Sequence, residues 1–286
     1  LSKADLMSEM VYEFTELQGL MGYYYSKIAK NDEKISLALK EQYLPSGENS
    51  ELPSTIFSSI VAMSNKIDNL MALFSVGKIP TGSKDPFALR RAALGVVKIA
   101  IEHKLDIDFK TIIEDLKVNY TNLDTKLLLE FFNERLFKIF DVNPTVLKAV
   151  LSSGETNIYK IYQKVEALNP VVESDNFKDY SATFKRVANI VKDVDLSTDL
   201  NINNSLFEQN EEKELYTNFE KIKATNFLSF DEELEALFDL KPQLDSFFEK
   251  VFVNHEDEKI KTNRKNLIAQ VYLGFRNIAD IKEITI

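Results

Sequence analysis

Few side chains in this sequence could carry covalent or metal chemistry, and their spacing suits neither. The 286 residues include no Cys and two His, which removes thiolate nucleophiles, thiolate metal sites and disulfides. His103 precedes Lys104 and His255 precedes Glu256. The two lie far apart in the chain, and neither stands before an Asp. A general base needs a nucleophile within reach and a third group to orient it, and no such set can be read. Carboxylates alone make a poor transition-metal site, and no G-x-x-x-x-G-K-S/T phosphate loop occurs. Catalytic and metal-ligating residues are therefore expected to be none. What remains is the chemistry of cations with phosphate. Lys259 to Lys265 holds four bases and no acid, and Lys185, Arg186 and Lys192 fall on one short stretch. Bases gathered in this way neutralise phosphates and release counterions.

The average charge points the other way. A net charge of −10 and a pI near 5.0 disfavour nucleic acid unless positive charge collects on one face. Acid collects too: Glu208 to Glu214 holds four acids and one Lys. A charge run is ordinarily a solvated face, so spacing alone leaves both readings open.

The elements that must position these bases are helices. Eight Gly and seven Pro are few for this length, and Glu, Lys, Leu and Ala abound, a mixture that favours helix over sheet. From Ile56 to Phe74, apolar residues step by three and four through Ile60, Met63, Ile67, Leu70 and Met71, which buries one stripe. Leu244, Phe247, Phe248, Val251 and Phe252 repeat the pattern, as do Leu267, Val271, Phe275 and Ile278. No run alternates long enough for a strand, so the fold class is all-α. Breakers fall at Pro45 to Pro53, Gly77 to Pro86, Asn143-Pro144, Ser152 to Gly154, Asn201 to Ser205 and Asn254 to Glu258. The boundary between two larger bundles is expected between Asn143 and Pro170. No apolar run reaches the roughly 18 to 20 residues that span a bilayer, so no membrane partner is expected. Zero Cys fits a reducing, cytoplasmic setting. The opening Leu1-Ser2-Lys3-Ala4-Asp5 lacks an initiator Met and an apolar leader, and reads as the interior of a longer protein.

Gly77 to Arg91 is the most distinctive segment. Two Gly and a Pro make a tight loop. Asp85 reads as an N-cap accepting the N–H of Phe87 or Ala88, with Pro86 at the first helical position. Leu89, Ala92, Ala93, Val96, Val97 and Ala100 then form the buried stripe, while Arg91 and Lys98 share a face beside Arg90. Toward the C-terminus, Phe184, Val187, Ala188 and Val191 should pack inward and leave Lys185, Asn189 and Lys192 outside. Thr262 or Asn263 should cap the final helix, putting Arg264 and Lys265 in its first turn. There the helix dipole disfavours cations by roughly 0.3 to 1 kcal/mol, which hints that they serve phosphate.

This segment resembles the glycyl-tRNA synthetase beta-subunit signature G-x-x-P-x-G-x-K-D-P-F-A-L-R-R-x-A-L-G. It matches Gly77, Pro80, Gly82, the run Lys84 to Arg91, then Ala93, Leu94 and Gly95. Lys3 to Leu6, Met10 to Gly19, Tyr43 to Pro45 and Lys66 to Asp68 look like the same family, as do Lys185 to Ile190 and Phe247 to Arg264. The resemblance implies a degenerate, N-terminally truncated HD-like helical domain over 1–122, a helical linker over 123–170 and an anticodon-binding helical bundle over 171–286. The last is similar to the domain that arginyl-tRNA synthetases carry. An HD metal site would need a His-Asp pair, but the sequence offers Ala4-Asp5, a possible remnant at Asp68, and Asn65 where relatives often have Asp.

The implied function is the tRNA-binding portion of the synthetase, supporting ATP-dependent attachment of glycine to tRNA(Gly). Lys84, Arg90, Arg91, Lys185, Arg186, Lys192, Lys261, Arg264 and Lys265 are the expected tRNA contacts. The implied partners are the alpha subunit and tRNA(Gly), not DNA. This chain would need no cofactor, and ATP and Mg would bind at the alpha subunit. The alternatives are an HD-family metal phosphohydrolase relative and a helical scaffold that binds no RNA.

Overall fold

A computed structural model describes residues 2–47, 49–81 and 84–285. The described residues are helical with no strand, and a single antiparallel bridge joins Asp108 and Asn157. They divide into two compact units, Leu1–Asp141 with Thr156–Tyr159, and Val142–Glu155 with Lys160–Ile286.

The first unit contains α1 (Glu9–Glu13), α2 (Leu20–Ile28), α3 (Glu33–Glu41), α4 (Ile56–Ser75), α5 (Leu89–Glu102), α6 (Phe109–Leu116) and α7 (Thr125–Leu136). Side-chain oxygens of Asp32, Thr55, Asp108 and Asp124 accept the first free N–H groups of α3, α4, α6 and α7, which stops each helix from fraying into the loop before it. Antiparallel neighbours pack in sequence, α2 on α3, α3 on α4 and α4 on α5. The core stripe of α4 runs from Met63 to Phe74. Ile56 and Ile60, expected in that stripe, are instead 56% and 54% exposed, because the first turns of α4 present Ser58, Ser59 and Ala62 to the core and leave these two on the outer side. Phe74 meets Phe131 of α7 edge-on at 5.2 Å, and Phe109 stacks on Phe132 at 3.7 Å.

α5 starts differently from the sequence expectation. Pro86 and Phe87 form a turn, Ala88 takes a left-handed φ of 56°, and the helix begins at Leu89. Asp85 still caps it, but its two oxygens reach Leu89 N (2.8 Å) and Arg90 N (2.9 Å). The turn Asp85–Ala88, closed by Ala88 N to Asp85 O at 3.1 Å, carries the carboxylate further along the chain than a simple cap would. Leu89, Ala93, Val96, Val97 and Ala100 are fully buried as the stripe requires, while Ala92, expected with them, is half-buried.

The second unit contains α8 (Pro144–Ser152), most of α9 (Ile158–Glu173), α10 (Phe177–Ile190), α11 (Asn210–Ala224), α12 (Phe230–Phe238), α13 (Lys241–Lys250) and α14 (Glu258–Arg276). Asn143 caps α8 with Pro144 in its first turn, where a missing N–H costs nothing. The core gathers on α14. Phe275 packs against Phe184 of α10 at 4.2 Å and Phe238 of α12 at 5.5 Å. Gly274 lets α11 approach closely, since a Cβ there would lie 2.9 Å from a ring carbon of Phe219. After α14 the chain returns to α8, with Asp280 N donating to Ala149 O at 2.9 Å. Phe252, expected inside, is 68% exposed because α13 ends at Lys250 and the chain leaves in extended form.

Candidate nucleic-acid interface

α10 is amphipathic: Phe184 and Val187 are buried, and the turn residue Val191 with them, whereas Ala188, also expected inside, is half-buried and lines the cleft that α10 forms with α14. That leaves Lys185, Asn189 and Lys192 on the opposite side. Against this side lies the C-terminal end of α14, followed by the turn Ile281–Glu283. Together they form a cleft of about 500 Å³ whose lining includes Lys185, Asn189, Lys192, Tyr272, Arg276 and Lys282, and no carboxylate. The cleft thus gathers four cations. Lys282 is partly compensated by Asp280 at 3.0 Å, which also accepts from Tyr272 Oη at 2.9 Å. That carboxylate raises the Lys282 ammonium above its ordinary range, and burial together with the same carboxylate raises the Tyr272 phenol. Among the described residues no ion pair compensates Lys185, Lys192 or Arg276. Arg276 occupies the last turn of α14, where the helix dipole favours a cation.

Arg276 and Lys282 escape the sequence reading because they are isolated bases in an apolar C-terminal stretch. Arg276 follows Lys265 by about three turns on one side of α14, roughly 16 Å along the axis, but Lys265 does not line the cleft, so helical spacing did not point to it.

The other expected tRNA-binding residues fall elsewhere. α14 begins at Glu258 with Asp257 as its cap, the carboxylate accepting Lys259 N at 2.7 Å. Thr262 and Asn263 therefore sit mid-helix, and Asn263 is buried, binding Asn203 N through its side-chain oxygen at 2.7 Å. Arg264 departs furthest from expectation. It is 1% exposed, and its guanidinium binds Glu212 at 2.9 and 3.2 Å, Glu208 at 2.9 Å and Phe252 O at 3.0 Å. Glu212 is wholly buried and also accepts Glu208 N and Gln209 N. Arg264 thus spends four of its five N–H groups inside the fold and, at 1% exposed, offers no surface to phosphate; of the acidic stretch it buries Glu212, while Glu208 stays exposed. Lys261 pairs with Glu258 at 3.0 Å, and Lys265 is half-buried. Arg186 faces away from the cleft, its guanidinium 4.5 Å over the Phe248 ring and donating to Phe248 O at 3.2 Å.

In the first unit, Lys84 is exposed, and Arg90 donates to its carbonyl at 3.3 Å. Arg91 is exposed beside a small cavity at the start of α5. The HD-like positions are engaged in structural bonds. Asp5 is buried and accepts Gly19 N at 2.6 Å, while Asp68 accepts the Tyr120 hydroxyl at 2.5 Å. That bond and burial push the Tyr120 phenol up to about 12. His103 Nε2 lies 3.0 Å from Pro53 O, and His255 Nδ1 accepts Asp257 N at 3.0 Å. Among the described residues no three His, Asp or Glu side chains converge as metal ligands would, and no helix is long and apolar enough to cross a membrane.

The second unit is helical, and residues 180–285 match the family model of the DALR anticodon binding domain. Residues 1–152 match that of the glycyl-tRNA synthetase beta subunit, and the chain belongs to the glycyl-tRNA synthetase beta-subunit family. Relatives agree along its length. It is 45% identical to the glycine–tRNA ligase beta subunit of Helicobacter pylori (strain Shi470), which it matches over 100% of itself and 42% of that protein. It is 36% identical to those of Sulfurihydrogenibium sp. (strain YO3AOP1) and Clostridioides difficile (strain 630), over 99% of the chain and 41% and 43% of theirs. The chain thus spans about two fifths of the length of these relatives.

Proposed function

We propose that this chain is the tRNA-binding portion of a glycyl-tRNA synthetase beta subunit and that the cleft between α10 and the end of α14 meets the anticodon arm of tRNA(Gly). The observation that carries the reading is the convergence of Lys185, Lys192, Arg276 and Lys282 on one cleft whose lining has no carboxylate, in a chain whose net charge is −10. Phosphates of the anticodon arm would be neutralised by the three uncompensated cations. Asn189, exposed in the same cleft, supplies an amide able to donate to and accept from an unpaired base edge.

The full enzyme joins this portion to an alpha subunit, which binds ATP and Mg and activates glycine, and transfer to tRNA(Gly) is a property of the assembly in the cytoplasm. The residues of this chain bind and orient RNA, with no role in the activation step.

Footprinting of tRNA(Gly), with the chain alone and with the assembled enzyme, tests the reading. Protection of the anticodon arm that disappears when Lys185 and Arg276 are both Ala is the expected result. Protection confined to another arm, or unchanged in the double variant, would overturn it.

A further inference from the structure

The first unit contains a second cationic site, unrelated in position to the cleft. A small cavity of about 140 Å³ opens between the loop after α3, the middle of α4 and the start of α5. Its lining includes Lys66, Arg91, Asn65, Asn69 and Ser46, and no carboxylate. Lys66 is 7% exposed, and its ammonium donates to the carbonyls of Tyr43 and Pro45 at 3.2 and 3.3 Å. Both bonds are long, and one of the three N–H groups remains unspent. Among the described residues no carboxylate pairs with Lys66 or Arg91, and burial alone pushes the Lys66 ammonium down to about 8.

A buried ammonium without a counter-charge is costly, yet the fold is shaped around this one. Gly95 of α5 faces the Lys66 stem, where a Cβ would lie 2.7 Å from Lys66 Cε and 3.3 Å from Pro45 Cγ. An apolar side chain of similar length would fill the slot without the electrostatic cost. The neighbouring amides have capacity left: Asn65 donates once to Gln42 O at 3.4 Å, and Asn69 once to Asn65 at 3.3 Å, so each keeps a second N–H. At the start of α5, Asp85 already occupies Leu89 N and Arg90 N.

We propose that Lys66 and Arg91 bind one tetrahedral oxyanion, a phosphate group, with the amides of Asn65 and Asn69 and the Ser46 hydroxyl completing its hydrogen-bond shell. At about 140 Å³ the cavity has room for a phosphate group. The group comes either from an RNA backbone or from free inorganic phosphate. The site stands whether or not the cleft of the second unit meets the anticodon arm.

Inorganic phosphate is titrated into the chain at fixed ionic strength and followed by calorimetry. The wild type is expected to show one saturable site. Arg91→Gln, an exposed replacement that leaves the packing intact, and Lys66→Met should each weaken it about tenfold or more. Circular dichroism establishes that each variant is folded, and if Lys66→Met is not, Arg91→Gln carries the test. Adding tRNA(Gly) then separates the sources: displacement of phosphate assigns the site to backbone phosphate, and simultaneous binding assigns it to free phosphate. No saturable binding by the wild type, or wild-type affinity in Arg91→Gln, overturns the proposal.

Discussion

A guanidinium buried between carboxylates is costly to disturb one partner at a time. Arg264 compensates the wholly buried Glu212 and reaches Glu208 as well. Replacing it with Ala leaves a carboxylate in the core with no counter-charge, a loss of about 3 to 5 kcal/mol. Urea unfolding of Arg264→Ala should therefore show a much lower midpoint, whereas Arg264→Ala with Glu212→Leu should recover part of the loss. Wild-type stability in the single variant would contradict the ion network. Asp85 acts on a smaller scale. Its two bonds to the first turn of α5 make Asp85→Ala less stable by about 0.5 to 2 kcal/mol, and Asp85→Asn should retain much of the cap. Equal midpoints for Asp85→Ala and wild type would remove it. The sequence foresaw a cap at Asp85 but not which amides it reaches, because a left-handed Ala88 is invisible to residue preference.

Helix stripes were legible wherever both sides of an element pack. α14 buries Leu267, Val271 and Phe275 as their spacing requires, and Ile278, in the turn just after the helix, is buried with them. Its start was not legible, because Thr262 and Asn263 are good capping types that compete with Asp257, and only packing against the chain at Asn203 decides between them. That shift moved Arg264 from a first turn facing solvent to a buried mid-helix position. In α4, burial of Lys66 couples stability to pH. Burial lowers the folded-state ammonium from 10.5 to about 8, so between these values the unfolded chain binds more protons than the folded one. Stability then rises with pH across that window. Thermal or urea midpoints of the wild type, taken relative to Lys66→Met, should climb from about pH 8 to pH 10. A flat or falling difference would mean that the ammonium is solvated.

For the whole molecule, average charge was a poor guide and local charge a good one. The acidic surplus does not prevent a cation-lined cleft, because none of its carboxylates lines that cleft. Of the cleft, Lys185, Asn189 and Lys192 could be read from the period of α10. Arg276 and Lys282 could not, since nothing in the sequence brings the end of α14 beside α10. If these cations meet RNA phosphates, the affinity of the assembled enzyme for tRNA(Gly) across a salt series reports it. Lys185→Ala and Arg276→Ala should each weaken binding and make the slope of log K against log salt shallower. The change should be about 0.7 to 0.9 for every phosphate that is no longer neutralised, with glycine activation unchanged. Wild-type affinity and slope in both variants would contradict the account and make the cleft an ordinary solvated face.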